Sequence, residues 1–479
     1  MRKLFIFSLI TGVASLLGVS CKCNKNCNGD ATTERDSTYT TVNQPEWSRN
    51  AVIYEVNLRQ YTDSGSITAF SRELPRLKDL GVDILWFMPI HPISELNRKG
   101  ELGSYYAVKD YKDVNPEFGT IEDFKNMVKK AHELGMKVII DWVPNHTGCD
   151  NVWVAEHPEW YSTDSLGRMY GPFDWTDVYE LNYDNREMRL AMVDALKFWL
   201  TEADIDGFRC DVAMEVPTDF WDETRPQLDS VKADIFMLAE ASKPELQKHA
   251  FNMGYNWPMK DLFSEIAATA GEYSFQKDGE PMRTFPAKYA ADIDSLLADQ
   301  AKNYPKDCYL MNMITNHDLN SWEGTEFERL GNLTGAFAVL SYTLPGMPLI
   351  YTGQETGMNR ALEFFKKDQA PAWEPRNEFF DFYKKLNHLK HTQAALQAGE
   401  NGGKINRYAT TSNNLYIFSR TVDNSTVFVF TNLGNAEEAV EYTGEKPEGN
   451  STTVNFFTGE TEDFPTVLKA GEYRIYVNR

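Results

Sequence analysis

Between residues 51 and 391, eight short apolar runs alternate with longer segments whose hydrophobic residues recur at helical spacing. AVIYEVN (51–57), DILWFMPI (83–90), KVIIDWV (137–143), GFRCDVA (207–213), IFMLAEA (235–241), YLMNMITN (309–316) and MPLIYTG (347–353) read as strands, with a weaker one at NMGYNW (252–257). Between and after them, ITAFSRELPRLKDLG (67–81), IEDFKNMVKKAHELG (121–135), REMRLAMVDALKFWLTEA (186–203), PTDFWDETRPQLDSV (217–231), DLFSEIAATA (261–270), RLGNLTGAFAVLSYTL (329–344) and EFFDFYKKLNHLKH (378–391) read as helices. The first two end in Gly, a helix stop signal. Strands apolar on both faces belong to a parallel sheet covered by helices. Eight such units predict an α/β chain closed into a (β/α)8 TIM barrel. An open doubly wound sheet alternates in the same way, but no Gly-rich phosphate turn follows the first strand.

Two segments break the rhythm. Residues 144–185, dense in Trp, Tyr, Asp and Gly, form a long insert after the third strand, and loops of that length in a compact domain are usually functional. After about residue 397 the helical period vanishes, and LYIFSRTV, STVFVFTNL and YRIYVN alternate around Gly and Asn turns, as a small antiparallel β-sandwich would. The expected domains are a signal (1–21), a flexible polar tether (22–46), the barrel with its insert (47–396) and the sandwich (397–479).

The N-terminus reads as an export signal: Arg2 and Lys3, an apolar run over 4–19, then small residues before Cys21. The run ending at Cys21 is similar to a bacterial lipoprotein signal, with Gly18 where Leu is usual. The chain is therefore expected in the cell envelope, periplasmic or on the outer membrane, with secretion as the alternative. Any membrane contact would run through a lipid on Cys21. The six cysteines form no disulfide framework. With 48 Lys and Arg against 70 Asp and Glu, the net charge is −22, a field that repels nucleic acid and suits a neutral partner. Oligomeric state is left open.

In a barrel of this kind the chemistry sits at the C-terminal strand ends. Those ends carry Asp141 through His146, Arg209 with Asp211, Glu240, and Asn316-His317-Asp318. Each alone has a bland reading as an ion pair or a helix cap. Four strand ends bearing carboxylates, two of them with histidines, make coincidence a poor account. Glycoside cleavage asks for one carboxylate at the oxocarbenium-like centre and another, protonated, at the leaving oxygen. Arg209 lies two residues from Asp211 on the same strand face and should keep it ionised. Glu240 sits among Leu238, Ala239 and Ala241, a setting that raises a carboxyl pKa. Asp211 is thus the expected nucleophile and Glu240 the acid/base. Neutral His146 and His317 would hydrogen-bond sugar hydroxyls.

These residues resemble the α-amylase family of retaining glycoside hydrolases, over about residues 47–479. DWVPNH (141–146), GFRCD (207–211), MLAEA (237–241) and TNHD (315–318) resemble its four motifs, in order and on the expected strands. YELNYDN (179–185) and PLIYTGQE (348–355) resemble two further segments. The resemblance implies a catalytic barrel, an inserted domain B and a C-terminal β-sandwich. It implies Asp211, Glu240 and Asp318 as catalytic residues, Asp318 stabilising the transition state. It implies substrate contacts from Tyr106, His146, Arg209 and His317, Tyr106 stacking under the sugar. A calcium ion is common in the family, implying Asn145 and Asp177 as ligands here; no organic cofactor is expected. Many members carry Lys-His at the third and fourth positions after the nucleophile, where this chain has Met214 and Glu215. DVAMEV looks more like the neopullulanase and cyclomaltodextrinase branch. The expected activity is retaining hydrolysis of α-glucosidic bonds, mainly α-1,4, in starch-like glucans or malto-oligosaccharides. A glucanotransferase of the same family and a catalytically silent glucan-binding protein are the alternatives.

Overall fold

The computed structural model describes residues 42–276 and 281–478. The export signal expected over 1–21, Cys21 included, lies outside them. In chain order the first ten strands are β1 (Ile53–Val56), β2 (Ile84–Phe87), β3 (Lys137–Trp142), β4 (His146–Gly148), β5 (Val178–Glu180), β6 (Gly207–Cys210), β7 (Phe236–Ala239), β8 (Met253–Tyr255), β9 (Tyr309–Asn312) and β10 (Met347–Tyr351). Eight of them close a barrel in the order β1-β10-β9-β8-β7-β6-β3-β2. The barrel shuts where β10 lies parallel to β1, Ile53 opposite Leu349.

The strands are apolar on both faces because both are buried. Ile53, Trp86, Ile139, Leu238, Met253 and Leu349 fill the interior. Their strand neighbours Tyr54, Leu85, Val138, Met237 and Ile350 join the layer between strands and helices. Each large apolar side chain so buried contributes roughly 1.5–3 kcal/mol. β8 is short, and Gly254 at its centre leaves no room for a Cβ, which would meet the Gln247 Nε2 at 2.4 Å and the Ala241 carbonyl oxygen at 2.8 Å. A three-residue strand with a central glycine is a faint pattern.

Three elements differ from the sequence reading. The helix expected over 67–81 is broken into Ile67–Phe70 and Leu74–Leu80. Pro75 has no N–H and its ring crowds the carbonyl four residues back, so it is accepted only in the first turn of a new helix. A helix at Ala290–Asn303 had no counterpart in the reading; only Ala290 and Ile293 on it are buried, so its apolar stripe is too thin to notice. The tether expected up to residue 46 ends earlier. Gln44 is buried, donating from Nε2 to the carbonyls of Asn252 and Asp307 at 2.9 Å each, while Asn252 Nδ2 donates to the Asn43 carbonyl at 3.0 Å. A polar side chain with a complete set of partners is worth ordering.

Within the insert, β4 and β5 pair antiparallel, His146 opposite Glu180. Its ends meet at the rim, where Leu181 N–H donates to the Asn145 carbonyl at 3.1 Å and Tyr183 OH to the Pro144 carbonyl at 2.8 Å. Beyond the barrel come β11 (Lys404–Arg407), β12 (Leu415–Val422), β13 (Ser425–Asn432), β14 (Glu438–Ala439), β15 (Thr453–Asn455), β16 (Val467–Leu468) and β17 (Tyr473–Asn478). They make an antiparallel sheet, β11-β12-β13-β17-β15, faced by the small β14–β16 pair, with Leu468 against the cluster of Ile417, Phe428, Phe430 and Tyr476. Arg420 ties this sheet to the barrel by donating to the Thr343 carbonyl at 3.1 Å and the Gln397 carbonyl at 3.2 Å. Among the described residues no helix is long and apolar enough to cross a membrane.

Candidate active site

The two-residue alternation that turns Ile53, Ile139 and Leu238 inward also turns Glu55, Asp141 and Glu240 inward. Arg209 does the same from β6. Its guanidinium, fully buried, holds three carboxylates: Nη1 donates to Asp141 Oδ1 at 2.8 Å and Asp211 Oδ1 at 2.9 Å, and Nη2 lies 3.0 Å from Glu240 Oε2. Nε donates to Tyr255 OH at 3.1 Å. The rings of Trp86 and Tyr255 flank it, 5.0 and 5.5 Å from the guanidinium carbon.

Immediately after Asp211, Val212 has φ 35°, the left-handed region that a β-branched residue enters only under constraint. The turn aims Val212 N–H at Glu240 Oε2, 2.8 Å away. One strained residue thus links the loops after β6 and β7.

On the opposite wall, Tyr106 OH bonds Asp141 Oδ2 at 3.2 Å and His317 Nε2 at 2.8 Å. His317 Nδ1 pairs with Glu55 Oε1, and Nε2 lies 3.3 Å from Asp318 Oδ2. Asp318 begins the turn Leu319–Glu323 but makes no side-chain cap bond, so the helix-cap account of this residue fails. His146 is buried, bonds the Tyr106 backbone, and meets the Trp175 ring edge-on at 5.2 Å. Asp211, Glu240, Asp318, Tyr106, His146, Arg209 and His317 are thereby linked through contacts around one rim. Met214 is half-buried and Glu215 exposed on the loop after β6.

The electrostatics correct two expectations. Arg209 does not single out Asp211. Burial and the Glu240 charge push Asp211 well up, with Arg209 opposing. Burial likewise carries Asp141 up to about 6 against the pull of Arg209 and His317. Neighbours in sequence are not the neighbours that count: Arg209 reaches across to β3 and to the end of β7. The Glu240 charge acts on both Asp211 and Asp141 and raises each of them. His317 is not neutral either. Burial would lower it, but Asp318 and Glu55 carry it up to about 9. His146 does fit the neutral reading, burial taking it down to about 3.

The two residues expected to hold calcium already have protein partners. Asp177 is buried with Oδ1 2.8 Å from Lys99 Nζ. The Asn145 side-chain amide approaches His146 Nδ1 at 3.5 Å. Among the described residues, no three His, Cys, Asp or Glu groups are disposed to hold a metal. Calcium wants six to eight oxygens; here an ammonium already answers the one carboxylate. A chelator is therefore expected to leave activity and melting temperature unchanged. Lys99→Ala should destabilise the protein by roughly 2–4 kcal/mol, because it strands a buried charge. A chelator-induced drop in the melting temperature of the unaltered protein would overturn this account.

Glu55, Trp86, Tyr255 and Val212 escaped the sequence reading as parts of the site. Glu55 had a signal, the only charge in the apolar run of β1. Tyr255 and Trp86 look like ordinary core aromatics, and nothing in a sequence announces the Val212 backbone.

Comparison with known proteins finds the family model described as Alpha amylase, catalytic domain, over residues 25–164 and 156–371. Alpha-amylase 3 of Dictyoglomus thermophilum is 27% identical over 477 residues, covering 85% of this chain and 89% of its own. Neopullulanase 2 of Thermoactinomyces vulgaris is 28% identical over 480 residues, covering 89% and 76%. A crystal structure of an α-amylase from Lactobacillus plantarum matches with a TM-score of 0.76 at 29% identity, covering 90% of this chain and all of its own.

Proposed function

Because the chain belongs to the α-amylase catalytic-domain family, we propose that it hydrolyses α-1,4-glucosidic bonds in starch-like glucans or malto-oligosaccharides with retention of configuration. The observation that carries this reading is the Arg209 guanidinium, which reaches Asp211 and Glu240 at the ends of neighbouring barrel strands at 2.9 and 3.0 Å. Two carboxyls held on one cation are the equipment for a double displacement.

In the first step Glu240 gives its proton to the glycosidic oxygen as the bond from that oxygen to the anomeric carbon breaks. Asp211 forms a new bond to the same carbon, giving a covalent glycosyl-enzyme. In the second step Glu240 takes a proton from water, the water oxygen attacks the anomeric carbon, and the bond to Asp211 breaks. Asp318, Asp141 and Glu55 add negative charge where the oxocarbenium-like centre is positive. Tyr106 offers a flat ring for the sugar, and His146, His317 and Arg209 offer hydrogen bonds.

The test is the anomeric form of the first product, followed by proton NMR with soluble starch, pullulan and cyclodextrin. The expected product is α, and the preferred substrate assigns the branch. A β first product would overturn the covalent mechanism. Products longer than the substrate would mark a transferase. Binding of glucan without any cleavage would favour the silent binding protein.

A further inference from the structure

Glu55 is fully buried in the barrel wall on β1. Among the described residues its carboxylate makes a single ion pair, with His317. A buried charge is costly unless it is paired or used, and this one is placed rigidly. The Glu55 carbonyl accepts from Thr352 N–H at 3.0 Å and from Thr352 Oγ1 at 2.7 Å. The side chain then grips His317 twice. Oε1 pairs with the ring at Nδ1, and Oε2 accepts from the His317 backbone N–H at 3.3 Å. Two oxygens on two nitrogens of one residue fix the position of the ring and its rotation together.

The far side of the ring starts a chain. Nε2 lies 2.8 Å from Tyr106 OH, and that hydroxyl lies 3.2 Å from Asp141 Oδ2. The ring planes of Tyr106 and His317 stack at 5.6 Å, inclined at 21°, so the histidine also backs the tyrosine face. The direction of the chain depends on how many protons His317 carries. With both nitrogens protonated, Nε2–H donates to Tyr106, and the phenol is left to donate to ionised Asp141. With Nε2 bare, Tyr106 must give its only proton to the histidine, and its oxygen then faces the Asp141 carboxylate lone pair to lone pair. Only the first arrangement satisfies Glu55, His317, Tyr106 and Asp141 at once.

We propose that Glu55 is a positioning residue of the reaction: its grip keeps His317 a donor at both ring nitrogens and so orders the His317–Tyr106–Asp141 chain that sets the tyrosine under the sugar. The proposal rests on the glucan reading above and deepens it, since His317 then meets a sugar hydroxyl only as a donor. The surrounding charges agree. Burial lowers His317, Asp318 on its own turn and Glu55 on β1 raise it, and Arg209 on β6 opposes them, with the balance at about 9. Asp141 on β3 faces it across Tyr106. Trp86 on β2 meets its ring edge-on at 6.0 Å and carries no charge. Tyr255 and Tyr351 lie near Glu55, but burial holds both phenols well above their ordinary range, so they stay neutral. Without the Glu55 charge, Asp318 alone would stand against burial and Arg209.

Two measurements on the full-length protein test it. The first follows the ring signals of carbon-13-labelled histidine against pH by NMR, with His317 assigned by its loss in His317→Asn. The wild-type ring should stay protonated up to about pH 9. In Glu55→Gln, whose amide oxygen accepts from Nδ1 but brings no charge, the proton should leave at a pH roughly two units lower. The second is kcat/KM on soluble starch across about pH 5 to 9. Glu55→Gln should fall about tenfold below wild type on the alkaline side and approach it towards about pH 5, because the basic limb moves down with His317. Glu55→Asp restores the charge and should return that limb towards its wild-type place. Glu55→Gln added to His317→Asn should cost little beyond His317→Asn alone. A wild-type His317 that is neutral at pH 7 overturns the proposal with no variant needed. So does a fully additive loss in the double variant, which would mean that Glu55 acts on the sugar without His317. If the wild-type protein cuts no glucan but Glu55→Gln still moves the His317 titration, the grip stands and the glucan reading falls. If it cuts glucan and Glu55→Gln moves neither titration nor limb, the grip falls and the glucan reading stands.

Discussion

Asp211→Asn is expected to lower kcat on soluble starch by about 10⁴-fold or more, equivalent to roughly 5.5 kcal/mol of transition-state stabilisation. The replacement is nearly isosteric, and its carbonyl oxygen can still accept from Arg209 Nη1, which lies 2.9 Å from Asp211 Oδ1. The amide cannot form the covalent bond to the anomeric carbon. It also removes a carboxyl that burial and the Glu240 charge already push well up. Folding should therefore survive, and the melting temperature should not fall. Glucan affinity measured by calorimetry should persist while release of reducing ends stops. Retention of more than about one per cent of turnover would remove Asp211 from the nucleophile role and direct attention to Asp141 or Asp318.

Arg209→Met is expected to be the most damaging substitution for stability. Met fills much of the space between Trp86 and Tyr255, so the loss reports charge more than volume. Removing one partner of a buried ionic set costs about 3–5 kcal/mol. At about 0.9 kcal/mol per degree for a chain of this size, the melting temperature should fall by about 3–6 °C at neutral pH. The pH dependence identifies the cause. Asp141 already sits at about 6 in the folded protein, above its unfolded value near 4. Its folded form binds more protons than its unfolded form, so its contribution is full below about pH 4 and is lost as pH rises through 6. Without Arg209 that window extends further upward. The deficit of the variant relative to wild type should therefore be larger at pH 7 than at pH 5. Equal deficits at both would mean that Arg209 acts by packing alone. Activity should vanish with the substitution at either pH.

The sequence carried the barrel and most of the rim, for identifiable reasons. Strands buried on both faces have no polar residues to spare, so Asp141, Arg209, Asp211 and Glu240 stand out against Ile139, Phe208 and Leu238. The alternation that sorts inward from outward residues is local and survives in a one-dimensional reading. What it lacks is the register between strands. Arg209 is opposite Asp141 on one side and Leu238 on the other, and only that pairing reveals a cation shared by three carboxylates. The same absence hid Glu55, whose partner His317 is 262 residues away. It also made a neutral histidine of a residue held between two acids. Lys99 and Asp177 likewise come from a barrel loop and the insert, and no spacing rule relates them. The helix at Ala290–Asn303 was missed for the opposite reason: it is local, but it buries too little to leave a pattern.

The closure of the barrel has a consequence for when the protein becomes active. Glu55 stands on the first strand and steadies His317, while β10, the strand that locks β1 in place, ends at Tyr351. Nearly the whole barrel must be synthesised before its two margins can meet, and contacts so distant along the chain form late. A nascent or still-unfolded chain has no partial version of this site: its carboxylates are scattered and hydrated, and Arg209 has not gathered them. Cleaving power arrives all at once with the last strand of the barrel, so an unfinished chain leaves any glucan it meets intact.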